Sequence, residues 1–196
     1  PYKALFARIL EYARETVSDE SGTQLQRRVR WWSALSLLRA MASSPAAAAA
    51  TLHERSSTAE APDVASADEL GRKIVLDTSD DLGDELPDVP SGADAGDSEG
   101  DSPVRRRLRA FEKEAKALEG DADAKLLKLV NILKGILKDG YKPIVFCRFI
   151  QTAEYLKIQL RERLEKKVSV ECVTSSLPPS ARIAAIEGIP ADNDSP

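Results

Sequence analysis

The sequence predicts an α/β chain: a short parallel βαβ unit, preceded by a helical segment and an acidic tether. Three observations carry this. Residues 142–156, KPIVFCRFIQTAEYL, read as a buried strand, a sharp polar turn and the start of a helix. A second apolar run, Val168 to Val173, follows that helix, and strands alternating with helices predict parallel pairing through a right-handed crossover. Between Ser56 and Pro103 apolar residues thin out, whereas on either side they recur at helical spacing.

Taken in order, Tyr2, Leu5, Phe6, Ile9 and Ala13 mark one face of a helix over 2–17, with Arg8, Glu11, Arg14 and Glu15 turned away. Ser18 to Gly22 breaks it. A second helix is expected over 24–41, with Leu25, Val29, Trp32, Leu35 and Leu38 or Arg39 along one face. Arg27, Arg28 and Arg30 beside Trp31 and Trp32 invite a nucleic-acid or membrane reading, against the plainer one of tryptophans in a core or packing surface. Ser44 suits an N-cap and Pro45 the first helical position, where its missing N–H costs nothing. The alanines from 46 to 50 then give the highest helix propensity available, through Leu52 and Glu54.

The stretch from Ser56 to Pro103 is rich in Ala, Asp, Ser, Gly and Pro and reads as a disordered interdomain linker, unable to bury enough surface to offset ordering entropy. Arg105 to Leu118 becomes helical again, with Arg105-Arg106-Arg107 either a phosphate-binding cluster or a solvated first turn. The next helix, 123–138, carries a stripe of Leu126, Val130, Leu133 and Leu137, is capped by Asp121 or Asp123, and ends at Gly140. Ile144 to Phe146 follows as a short strand covered on both faces, with Pro143 at its first position. Thr152 is placed to cap a helix to about Lys166, and Pro178-Pro179 opens a last one to about Gly188. The expected domains are a helical segment over 1–57, a linker over 58–103, an α/β unit over 104–190 and a tail over 191–196.

The net charge of −4 hides an asymmetry. Between Glu60 and Asp101 fourteen acids face only Arg72 and Lys73, a local charge of −12, which leaves 26 basic and 18 acidic residues elsewhere, or +8. A basic folded part is the electrostatic footprint of a phosphate-backbone partner, although solvated helix faces give the same balance. Cys147 and Cys172 both fall in expected strands and have no C-x-x-C partner, and His53 is the only histidine, so reduced core thiols are expected rather than a zinc site. No apolar run approaches the roughly 20 residues that span a bilayer, so a cytoplasmic protein with no membrane partner is expected. Pro1 opens inside a helical pattern without a preceding Met, and the chain reads as a piece of a longer protein.

Residues 142–156 resemble motif IV of superfamily-two helicases, the first strand and turn of the second RecA-like lobe, and are similar above all to bacterial Swi/Snf-type DNA helicases and translocases. Val173-Thr174-Ser175-Ser176-Leu177-Pro178-Pro179-Ser180-Ala181-Arg182 resembles the next strand end and loop of that family, usually V-T-G-x-L-P-P-x-x-R. Leu38-Arg39, with Pro45 six residues on, resembles the helix near the close of the first lobe. The likeness covers both ends of the chain and skips the middle. It implies a partial RecA-like parallel sheet. It further implies a fragment of an ATP-dependent DNA helicase or translocase that runs from the end of lobe one to the start of lobe two. Its partners would be the DNA backbone and the remaining parts of both lobes.

Residue by residue, the resemblance places Arg148, Phe149 and Gln151 in one phosphate-holding turn and Thr174, Ser175 and Ser176 in a second, acting through backbone N–H groups, hydroxyls and helix N-termini. Ser175 departs from the family's Gly, which permits close backbone approach. The plain alternatives are N-capping of the Pro178 helix by Thr174 to Ser176, and a salt bridge from Arg148 to an acid such as Glu154. No Gly is followed by Lys, so a phosphate loop is absent, and Asp68-Glu69 and Asp84-Glu85 follow no apolar strand. The motifs that would carry an arginine finger are also missing. The chain is therefore expected to lack ATPase activity and to hold no cofactor by itself, while ATP and magnesium are expected for the whole motor. The competing reading is a non-enzymatic interaction module of helical hairpins and a small α/β unit joined by an acidic tether.

Overall fold

The computed structural model describes residues 1–55 and 103–189. It divides into two compact units, Pro1–Ala122 and Asp123–Pro196. The acidic linker and the tail expected from the sequence fall, apart from Pro103, outside the described residues.

Among the described residues the first unit packs four α-helices: α1 (Tyr2–Ser18), α2 (Gln24–Ser43), α3 (Pro45–Arg55) and α4 (Pro103–Ala117). The starts of α2 and α3 have local causes. Thr23 and Gln26 form a reciprocal capping box on α2, Gln26 N–H donating to Thr23 Oγ1 and Thr23 N–H to Gln26 Oε1. The Ser44 hydroxyl accepts from Ala47 N–H at 3.0 Å ahead of Pro45. Gly22, at φ +87°, makes the turn between α1 and α2.

One contiguous core joins all four helices: Leu5, Ile9 and Tyr12 of α1, Leu37 and Met41 of α2, Ala48, Ala49 and Leu52 of α3, and Leu108, Phe111 and Ala115 of α4. Each fully buried aliphatic side chain contributes about 2 kcal/mol. The alanines of α3 let it lie close against both α2 and α4. Arg55, at its end, is buried and donates to the Ser33 hydroxyl of α2.

The helix from Pro103 belongs to this first unit, not to the domain expected over 104–190. Its apolar stripe Leu108, Phe111 and Ala115 fills the core left by α1 to α3. Its charged flank is strapped to α1 by Arg107 Nη1 to Glu15 Oε2 at 2.5 Å and by Arg8 to Glu114. The Tyr12 and Phe111 rings meet edge to face at 6.1 Å.

The second unit holds α5 (Ala124–Lys138), α6 (Ile150–Arg163) and α7 (Pro179–Glu187). Gly140, at φ +82°, closes α5 in a Schellman turn: its N–H donates to Leu137 O and that of Tyr141 to Ile136 O. Helix α5 packs on α6, and Leu126, Val130 and Leu133 of α5, Phe149 at the start of α6, and Tyr155 and Leu160 of α6 are buried.

The expected α/β fold with a parallel sheet is not present. No strand occurs among the described residues, and 144–146 and 168–173 run as irregular chain. Far from being covered on both faces, Ile144 is 78% and Phe146 92% exposed. The physical reason lies in the backbone. A strand exists only through ladder bonds to a partner, and two short runs alone make at best a marginal sheet. Two of the groups such a ladder would use are spent locally. Val170 O accepts from Arg161 Nε at 3.0 Å, and Val168 N–H closes a turn onto Glu165 O at 2.8 Å.

Candidate functional site

The first expected phosphate turn, 148–151, leads directly into α6. The helix starts at Ile150, two residues before the expected cap, because Phe149 occupies the N-cap position; no side chain caps the end, and Thr152 is instead buried inside the first turn. Phe149 is buried too, so its side chain anchors the turn and cannot meet a ligand. Arg148 is half-buried with its guanidinium 5.9 Å over the Phe149 ring. Gln151 is half-buried in the first turn of α6.

The second turn, 174–176, is polar and shaped from within. Thr174 Oγ1 and Ser176 Oγ lie 2.6 Å apart and share a hydrogen bond. Leu177 N–H donates to Thr174 O at 3.2 Å. Arg182 of α7 reaches back, its Nε donating to Leu177 O at 2.7 Å and its Nη2 to Ser175 O at 3.2 Å. The capping alternative for Thr174 to Ser176 is not realised: Pro178 is the N-cap of α7 and no side chain caps it. Arg182 is the contribution that sequence reasoning missed. It matches the last position of the loop pattern, but nothing in the sequence indicates which carbonyls it holds.

Cys147 and Cys172, each one or two residues before a turn, are half-buried free thiols. Burial, followed by the proximity of Cys172, pushes the Cys147 thiol up. The segment 168–173 is tied to α6 through Glu171, whose carboxylate accepts from Lys157 Nζ at 3.1 Å and Arg161 Nη2 at 2.6 Å. The Lys157 hydrogen bond above all holds the Glu171 pKa below its ordinary 4.5. A carboxyl depressed in the folded state contributes stability that is present above its unfolded pKa and lost as pH falls through the folded one. Acidification below about pH 4.5 is therefore expected to loosen this segment before the rest of the unit. Amide hydrogen exchange over 168–173, compared with Glu171→Gln, checks this: the variant should already be loose at neutral pH and insensitive to acid.

Of the Arg105–Arg107 cluster, Arg107 is committed to the fold. Arg107 pairs with Glu15 and lies over the Tyr12 ring at 5.1 Å and the Phe111 ring at 5.7 Å, so it serves the α1–α4 packing. Among the described residues no three His, Cys, Asp or Glu side chains gather as a metal site would require, and no helix is long and apolar enough to cross a membrane.

No protein-family model, curated protein or solved structure matches this chain.

Proposed function

We propose that this chain contributes part of the nucleic-acid-tracking surface of an ATP-driven, cytoplasmic DNA motor of the Swi/Snf type and is not catalytic by itself. ATP and magnesium would be held by the remaining parts of the two lobes, where the phosphate loop and arginine finger would reside. The observation that carries the reading is the pair of uncapped helix starts, each preceded by a polar turn: Arg148 before α6, and the Thr174 and Ser176 hydroxyls before α7. Uncapped N–H groups at a helix start, with hydroxyls and a cation beside them, suit a phosphate oxygen. Arg182 keeps the second turn ordered without entering it.

Fluorescence anisotropy on labelled duplex DNA tests this. Arg148→Ala is expected to weaken binding and lower the salt slope by roughly one. Thr174→Val combined with Ser176→Ala should weaken binding while leaving the helix content unchanged. Wild-type affinity and slope in both variants would overturn the proposal.

One observation favours the second reading, a non-enzymatic interaction module. Ile144 and Phe146 stand almost fully in solvent, beyond what an isolated surface residue explains. If DNA binding is indifferent to both sets of substitutions, that reading takes precedence.

A further inference from the structure

From Tyr141 to Cys147 the chain of the second unit runs without helix, turn or bend. Over 143–147 its exposure alternates. Ile144 and Phe146 stand 78% and 92% exposed, whereas Val145 is 40% exposed and Pro143 and Cys147 are half-buried. A period of two is that of an extended backbone, whose successive side chains point to opposite sides. Among the described residues Ile144, Val145 and Phe146 make no backbone hydrogen bond. Their N–H and C=O groups stand open, and a row of such groups templates pairing with another chain.

The surroundings are basic. Between 134 and 148, Lys134, Lys138, Lys142 and Arg148 face one acid, Asp139. Lys134 and Lys138 of α5 are exposed and enter no ion pair among the described residues. Lys138 suits the negative end of the helix dipole, but a like charge four residues before it costs helix stability. Neither the exposed apolar pair nor the surplus charge is explained by stability.

We propose that residues 143–147 receive an extended segment of a protein partner as an added strand, one with apolar side chains at alternate positions and an acid that meets Lys138 and Lys142. Main-chain hydrogen bonds give the affinity, and Ile144 and Phe146 give the side-chain preference. Charge selects this occupant. A second copy of the chain, paired antiparallel about Val145, sets Lys142 against Arg148, and like charges directly opposite oppose pairing. Pro143 and its neighbouring lysine are devices by which exposed edges avoid their own kind. A lipid surface accepts the apolar side chains but leaves the open N–H and C=O groups unpaired in hydrocarbon. The added strand comes from the partner, so the chain itself stays without a sheet. No residue proposed to hold the segment belongs to the two turns, so the proposal stands apart from the DNA reading and gives the interaction-module reading its partner chemistry.

The test titrates the whole chain into a fluorescein-labelled synthetic peptide of alternating valine and threonine with an aspartate at each end, read by anisotropy. Binding is expected, and added salt should weaken it. Phe146→Ser should weaken it roughly tenfold or more, the worth of burying an aromatic side chain. The same peptide N-methylated along its backbone has no N–H to donate and should not bind. Lysines in place of its aspartates should weaken binding at low salt. Amide hydrogen exchange of the chain should slow within 144–147 when the parent peptide is added. Circular dichroism checks that Phe146→Ser, at an almost wholly solvated position, keeps the fold. No binding of the parent peptide, equal binding of the N-methylated one, or unchanged exchange at 144–147 overturns the proposal. So does a chain that uses Phe146 only to bind itself or phosphatidylserine vesicles. Arg148→Ala is read on DNA and Phe146→Ser on peptide, so the two readings fail separately.

Discussion

Truncating Leu108 to Ala is expected to destabilise the first unit by about 3 kcal/mol. Leu108 has no solvent exposure and sits in the core shared by α1, α2, α3 and α4. Removing its branched end leaves a cavity between elements already closely packed, and helices can collapse into such a space only in part. For a unit of this size the loss corresponds to a fall in melting temperature of well over 10 °C. Both tryptophans lie on α2, so their fluorescence follows this unit alone. Leu108 lies 76 residues after Trp32 in sequence. A tryptophan-detected transition that moves with Leu108→Ala therefore shows that α4 folds with α1 to α3. Lys113→Ala, on the exposed side of α4, should leave the transition in place. If Leu108→Ala also leaves it in place, α4 has been assigned to the wrong unit.

The helices were legible because their signals are local. Ser44 before Pro45, the stripe of Leu126, Val130 and Leu133, and Gly140 at positive φ each fix an element within a few residues of themselves. Partners were not legible. The stripe of α4 says that one face is buried but not against what, so the sequence assigned it to the following domain rather than to α1 and α3. In α2 the expected face of Leu25, Val29, Trp32, Leu35 and Leu38 is only partly the buried one. Packing between α1 and α3 also buries Leu37, off the expected face, together with Ser33, Ser36 and Ala40, small residues that carry little hydrophobic signal. The sheet failed for the same reason in stronger form. Ile144-Val145-Phe146 has the composition of a covered strand, but composition supplies no ladder, and the run lies exposed.

For the candidate site, location was readable and orientation was not. Placing Arg148 and Thr174 to Ser176 in turns ahead of helices needed only the apolar runs and Pro178-Pro179. That Phe149 would turn inward and Arg182 would hold Leu177 O and Ser175 O depends on side-chain packing across several residues, for which the sequence has no periodic mark. Trp31 and Trp32 show the limit plainly: neighbours of the same type, one in the core and one in solvent, separated only by the 100° step of the helix.

Asp123→Ala is expected to destabilise the second unit by about 2–3 kcal/mol, the sum of a lost helix cap and a buried hydroxyl left without its acceptor. Asp123 is 7% exposed and uses both carboxylate oxygens. Its Oδ1 accepts from Lys125 N–H at 3.0 Å and Leu126 N–H at 3.1 Å, closing the start of α5. Its Oδ2 accepts from Tyr155 Oη at 3.1 Å, which pins that start to the middle of α6. The side chain therefore joins local helix formation to the packing of α5 on α6, and two substitutions separate these contributions. Asp123→Asn keeps an oxygen for the cap and removes the negative charge and one acceptor, so it should cost less than Ala. Tyr155→Phe removes the hydroxyl but leaves the cap, and should cost about 1 kcal/mol. In the double variant Asp123→Ala, Tyr155→Phe the orphaned hydroxyl is gone, so the total should fall short of the two single losses added together. Amide hydrogen exchange over 124–138 reads all four proteins on the same residues. Strict additivity would show that Asp123 caps α5 without holding α6, and unchanged exchange in Asp123→Ala would remove the cap itself.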